Sequence, residues 1–271
     1  MAVVQANAAG VDRLLPEIVD GLLARHPGRG IGARNDSGAR AHEGLPQEVR
    51  VLHGDAEGAE AVEGGVAFPV DPVSGQKTGF FHDQRPNRDF VARLAAGGAV
   101  LDVFCHTGAF GLRALAAGAA SALLVDASAP ALDQARRAAE RNGLLDRAAF
   151  RRGDAFEVME ALAGEGTRFD VVVCDPPAFA KSRKDMDAGL RAYQRMARLA
   201  APLVAPGGFL FCASCSHHAP LDRFADSLAA GLLRARRDAR LLHTGGAGPD
   251  HPVHPHLPES AYLKAQVFQL L

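Results

Sequence analysis

The feature that most constrains this chain is an alternation that begins near residue 85 and continues to the end. Short apolar runs of strand length alternate with stretches of helical apolar spacing. Strands are expected at 99–104, 122–126, 148–152, 170–174 and 208–213, with helices at 109–117, 129–141, 155–163, 186–203 and 220–234. Strands at 239–243 and 262–269 close the chain. A strand that returns to its sheet after one helix makes a right-handed crossover, so the pattern predicts a largely parallel sheet covered by helices. Such sheets bind ligands beyond the carboxyl ends of their strands, near the point where strand order reverses. The fold class is therefore α/β, with the sheet domain over 85–271 and a small α/β domain over 1–84.

The small domain reads as a strand at 3–5, a helix at 12–25 and strands at 48–53 and 66–71. It is punctuated by HPGRGIG, NDSGARAHEGLP and DPVSG. Met1 leads straight into the strand-like AVVQAN, without a cap or turn. From that abrupt start, a missing N-terminal part is expected. A length of 271 residues suits one or two domains and a core that needs no staples. The net charge of −1 excludes a polybasic nucleic-acid coat but not a local basic groove. Four lysines against 26 arginines, amid much Ala and Gly, read as genome composition bias. Four cysteines without paired spacing argue against a disulfide scaffold and against zinc. No basic-then-apolar leader opens the chain and no apolar run reaches membrane-span length, so a soluble, cytoplasmic protein without a membrane partner is expected.

The first sheet-domain strand runs into LDVFCHTGAFGLRAL. Gly108 and Gly111 let the backbone approach a ligand, and the helix start offers N–H groups. This is not a GxGxxG loop, and Asp102 would repel a phosphate but suits a cation such as an amino group. Asp126 ends the second strand, where an acid accepts both ribose hydroxyls of a nucleotide. Asp154 follows the third strand, able to bond an adenine amine or merely to cap the next helix. Three acids after three consecutive strands point to one adenosine-type ligand. Without a diphosphate loop, S-adenosyl-L-methionine fits better than a dinucleotide.

The fourth strand ends in FDVVVCDPPAFAKS. Pro176 and Pro177 fix the backbone and remove two N–H donors, presenting Asp175 and Phe179. An aromatic face beside a carboxylate suits a flipped nucleobase, by stacking and an edge hydrogen bond. The fifth strand ends in GGFLFCASCSHHAP. Cys215, at the strand end among serines and histidines, is the candidate nucleophile. Cytosine C5 cannot take a methyl group directly, but a thiolate added at C6 makes C5 enamine-like. Cys105, Cys174 and Cys212 read as packing residues, with Cys174 turned to the core by strand alternation.

At these residues the chain resembles the class I, S-adenosylmethionine-dependent 23S rRNA cytosine-5 methyltransferases that carry an N-terminal PUA RNA-binding domain. The resemblance rests on GQKTGFFHDQRPNR (75–88), VLDVFCHTGAFG (100–111), LLVDAS (123–128), GDAF (153–156), DVVVCDPPAFAKS (170–182), SCSHH (214–218) and DHPVHPHLPESAYLK (250–264). It implies a Rossmann-like class I methyltransferase sheet behind the small α/β domain. It further implies cofactor contacts at Asp102, Phe104, Thr107 and Gly108, at Asp126 and Ala127, at Asp154 and Ala155, and at Asp175. Cys215 and Asp175 are the implied catalytic pair, and Pro176, Pro177, Phe179, Lys181 and Arg183 the implied substrate contacts. Gln84 and Arg85 would hold either the cofactor carboxylate or an RNA phosphate. The implied partner is 23S rRNA; the oligomeric state stays open, a homodimer included. Against the resemblance, the PUA domain is expected to be absent, which weakens the expected RNA affinity. The remaining basic surface of Lys181, Arg183, Lys184, Arg191, Arg195 and Arg198 is modest and offset by Asp185 and Asp187.

Two other readings stand beside this one. Methylation of a guanine ring nitrogen or an exocyclic amine needs no cysteine, and related rRNA guanine enzymes share Asp-Pro-Pro-x-Phe. Amine-methylating motifs usually place the aromatic directly after the second proline, where Ala178 stands here. A truncated homologue that binds cofactor or RNA without turnover is the third. The H-P-V-H-P-H run at 251–256 invites a zinc reading, but its prolines break helical spacing and no cysteine pair accompanies it, so no metal is expected.

Overall fold

A computed structural model describes residues 1–55, 58–72, 79–257 and 260–271. Lys77, the opening of the 75–88 segment, and Pro258 and Glu259 of the tail lie outside the described residues. The chain forms two compact units, residues 1–61 with 69–81, and residues 62–68 with 82–271.

The first unit is built on a three-stranded sheet of β1 (Ala2–Val4), β2 (Ile31–Asn35) and β3 (Glu48–His53), in that order. β1 runs parallel to β2, and β3 antiparallel to it. The expected helix over 12–25 is two helices, α1 (Ala9–Arg13) and α2 (Leu15–Arg25). Pro16 explains the break: it lacks an N–H and fits only in a first turn, so α2 starts there. The central strand β2 was not anticipated, because the glycines around it read as a turn. α3 (Ala39–His42) follows it, and carries the buried Arg40. Its guanidinium donates to the carbonyls of Ala6 and Pro46 and pairs with Asp12 at 2.7 Å, which ties the unit's loops together.

β4 (Glu60–Glu63) and β5 (Val66–Pro69) form a two-stranded ribbon whose tip, 62–68, belongs to the second unit. There follow α4 (Arg85–Leu94), β6 (Ala99–Val103), α5 (Ala109–Ala116), β7 (Ser121–Asp126), α6 (Ala129–Arg141), β8 (Ala148–Arg152) and α7 (Ala155–Gly164). β9 (Phe169–Cys174), α8 (Met186–Ala200), β10 (Val204–Ser214), α9 (Leu221–Arg234), β11 (Ala239–Gly245) and β12 (Lys264–Leu270) complete it.

The seven strands lie in the order β11-β12-β10-β9-β6-β7-β8. β8, β7, β6, β9 and β10 pair in parallel, while β12 runs antiparallel to both neighbours. β9 explains its own burial: Val171, Val172, Val173 and Cys174 are closed off on both faces, as a central parallel strand demands. Chain order reverses between β6 and β9, so their carboxyl ends open onto the crevice where such sheets bind ligands. Among the described residues no helix is long and apolar enough to cross a membrane.

Candidate active site

The turn from β6 to α5 is unusual in its backbone. Phe104, His106 and Gly108 all have positive φ, of 61°, 50° and 76°. Bulky residues adopt that region only when their surroundings enforce it. Here the Cys105 amide bonds the Val125 carbonyl at 3.0 Å, and the His106 amide bonds Asp126 at 2.8 Å. Gly108 is required twice over, since a Cβ there would also meet Leu124 Cδ2 at 2.4 Å.

The acids at the carboxyl ends of β6, β7 and β8 are held by main-chain amides. Asp102 accepts from the Gly111 amide at 2.8 Å through Oδ2. Its Oδ1 is buried and has no hydrogen-bond partner among the described residues. Burial, with the nearby charges of Asp175 and Asp126, raises its carboxyl from the ordinary 3.8 to about 7. Asp126 accepts from His106 and, at 2.8 Å, from Ser128. Asp154 is exposed and caps α7, accepting from Phe156 and Glu157 at 2.9 and 3.2 Å. Thr107 and Ala155 are buried beside these acids, and Ala127 is exposed.

The ends of β9 and β10 are organised differently. Asp175 is half-buried, and its Oδ1 accepts from Gln84 Nε2 at 2.8 Å. Gln84 in turn accepts from Asn87 at 2.6 Å. Of the four cysteines, Cys105, Cys174 and Cys212 are buried, while Cys215 is half-exposed just beyond β10. Its neighbours Ser214 and Ser216 are fully buried. Tyr193 of α8 joins them, its hydroxyl lying 2.8 Å from each serine Oγ. Ser216 Oγ also accepts from the Ala180 amide at 3.1 Å, which fastens the Asp-Pro-Pro loop to the cysteine turn. Lys264 Nζ donates to the Ser216 carbonyl at 2.6 Å.

Phe179 packs into an aromatic wall rather than standing clear. Its ring centroid lies 4.8 Å from Tyr193, 6.0 Å from Phe156 and 6.2 Å from Phe104. Pro176 is buried and Pro177 exposed, as are Lys181 and Arg183. Arg85 lies at the surface and pairs with Asp250 at 2.9 Å. The structure thus gathers Asp102, Phe104, Asp126, Asp154, Asp175, Phe179 and Cys215 along the carboxyl edge of the sheet, and leaves Arg85 in a surface pair. Among the described residues no cluster of three metal-ligating side chains forms.

A family model for S-adenosylmethionine-dependent methyltransferases matches residues 46–269. The chain belongs to that family. Its relatives include "Ribosomal RNA large subunit methyltransferase I" of Shewanella amazonensis, 39% identical over 98% of this chain and 68% of the relative. The protein of that name from Pseudoalteromonas atlantica is 37% identical over 99% of this chain and 69% of its own length. The fold is shared with a methyltransferase crystallised with SAH (TM-score 0.82, 21% identity, 98% of this chain, 68% of the other). A Streptococcus mutans SAM-dependent methyltransferase gives a TM-score of 0.80 at 21% identity, with the same coverage.

S-adenosylmethionine is accordingly the cofactor of this methyltransferase. The residues present fit it. Asp102 Oδ1, buried and without a hydrogen-bond partner among the described residues, is an acceptor that suits an ammonium donor. The sequence reading gave no role to Tyr193, Asn87 or Lys264. Tyr193 and Asn87 carry no local signal, being ordinary helix residues until the fold brings them in. Lys264 could have been noticed: it is one of four lysines, and it opens the apolar strand KAQVFQL.

Proposed function

We propose that this methyltransferase forms 5-methylcytosine in large-subunit (23S) ribosomal RNA through a cysteine adduct. The observation that carries the proposal is the half-exposed Cys215 thiol on the same sheet edge as Asp175, while the other three cysteines are buried. The names of the relatives support large-subunit rRNA as the substrate class.

In this reading Asp102 takes the amino group of the cofactor, Asp126 its ribose hydroxyls and Asp154 its adenine amine. Phe104, Thr107, Gly108, Ala127 and Ala155 shape the space between them. S-adenosylmethionine, when bound, supplies the methyl group as an electrophile. The chain's own residues make the acceptor. The Cys215 thiolate bonds to cytosine C6, and the C5–C6 π pair moves to C5, which becomes nucleophilic. Asp175 accepts from the exocyclic amine and holds the ring edge, with Gln84 orienting the carboxylate. Once C5 is methylated, a base removes its proton, the C5–C6 double bond re-forms and the thiolate leaves. Pro176, Pro177 and Phe179 border the base, and Lys181 and Arg183 contact phosphates. Arg85 remains a candidate for an anionic group, since its exposed pair with Asp250 is weak.

The test is nucleoside mass spectrometry of unmodified 23S rRNA incubated with the protein and labelled S-adenosylmethionine. Labelled 5-methylcytidine is the expected product. Label in guanosine or adenosine would overturn the cytosine chemistry and return Cys215 to a packing role. Cofactor binding with no label in any nucleoside would favour a non-catalytic homologue.

A further inference from the structure

Lys264 is a full charge buried at the edge of the core. It opens β12 between the buried Leu263 and Ala265 and is itself 7% exposed. In register it lies opposite Ser214, the last residue of β10. Its Nζ donates to the Ser216 carbonyl at 2.6 Å, which sets the ammonium against the turn that carries Cys215. Among the described residues no carboxylate bonds to it. A carbonyl dipole compensates a buried ammonium only in part, and such ions are normally paired.

Two phenols also stand near Cys215. Tyr193 faces it from α8 and Tyr262 from the segment before β12, and burial holds both phenols neutral beyond their ordinary range. Tyr262 also donates to Asp83 at 2.5 Å, which ties up a carboxylate behind it. The His217 ring lies 5.4 Å from that of Tyr262. Burial pulls the Lys264 ammonium down to about 8, and the negative charge that favours its protonated form is that of Cys215.

We propose that the Lys264 ammonium and the Cys215 thiolate form a standing ion pair, which makes Lys264 the positioning residue for the nucleophile. Its catalytic meaning rests on the cysteine-adduct reading above. The thiol proton goes to solvent, and Lys264 keeps its own. When Sγ bonds to C6 the sulfur loses its charge, and when the adduct breaks the ammonium receives the thiolate back. The pair therefore favours both the ionised nucleophile and its departure.

The test is the pH dependence of Cys215 alkylation by iodoacetamide in the full chain, read by mass spectrometry on its own peptide. The unmodified protein should show a midpoint below the ordinary ~8.5 of a thiol. Lys264→Met should raise that midpoint by about one to three units, and Lys264→Arg should restore it. A midpoint at or above the ordinary value in the unmodified protein overturns the pair without any variant. So does an unchanged midpoint in Lys264→Met. Methylation by Cys215→Ala is a separate readout. Activity surviving there would remove the adduct chemistry and leave the alkylation result standing.

Discussion

The carboxyl edge of the sheet has two halves, built on opposite principles. At the ends of β6, β7 and β8, carboxylates are held by main-chain amides: Asp102 by Gly111, Asp126 by Ser128 and His106, Asp154 by Phe156. Beyond β9 and β10, side chains from distant parts of the chain hold one another. Gln84 reaches Asp175 across 91 residues and Lys264 reaches Ser216 across 48. The first half rests mostly on local sequence, although His106 reaches Asp126 across 20 residues. The second exists only once the whole unit has folded, so damage in it should spread further.

Cys215→Ala separates the halves most sharply. Methyl transfer should fall on the order of 10³-fold or more, while SAH binding, measured by calorimetry, stays unchanged. Loss of SAH binding in that variant would mean that the halves are not independent.

Asp102→Asn probes the exception in the first half, the acid with an unsatisfied oxygen. Its folded-state carboxyl lies near 7, above the ordinary 3.8. Between those values the native protein keeps a proton that the unfolded chain has released. Native stability contributed at this site therefore falls as pH rises from about 3.8 to about 7, then levels off. Denaturant unfolding without cofactor should show the wild type losing up to a few kcal/mol relative to the Asn variant across that window. A difference independent of pH would place the shift elsewhere.

Tyr193→Phe tests whether damage spreads in the second half. It strips a hydroxyl partner from two buried serines and should cost about 1–3 kcal/mol. Turnover should fall with it, because Ser214 and Ser216 flank Cys215. A variant with lowered melting temperature and full turnover would show the network to be scaffold and nothing more. The smallest effect belongs to Asp154. Its Ala variant should lose about 1 kcal/mol of stability through the lost cap, and its Asn variant only a few tenths. Equal losses in both would show that the charge, not the cap, stabilises α7.

The same division governs what the sequence disclosed. Strand–helix alternation specified the sheet, because each element's periodicity is local. Asp102, Asp126 and Asp154 were legible because each stands at or near the carboxyl end of its strand. Tyr193 and Asn87 were not, since only the packing of α8 brings Tyr193 to Ser214 and Ser216, and only the fold brings Asn87 to Gln84 and Gly246. Lys264 stood out as a rare lysine, but its place opposite Ser214 came only from the pairing of β12 with β10. Local pattern also misled where two signals competed. Glycines hid β2, and Pro16 divided a helix that its apolar spacing had made continuous.

The tip of the β4–β5 ribbon bears on how this molecule can be taken apart. Glu63 there grips Arg88 through two bonds of 2.6 Å, with both side chains almost wholly enclosed. Arg113 holds the Gly64 carbonyl at 2.7 Å, and Asn142 clasps Ala67 through both its N–H and its carbonyl. Those seven residues precede the rest of their unit in the chain and are separated from it by a stretch of the other unit. A fragment started at His82 would lose both Glu63 bonds to Arg88, together with the ribbon's bonds to Arg113 and Asn142. Domain dissection by a single cut is therefore closed to this protein. A minimal catalytic fragment has to carry the ribbon along, either through the intact chain or by a designed splice that rejoins residue 68 to residue 82.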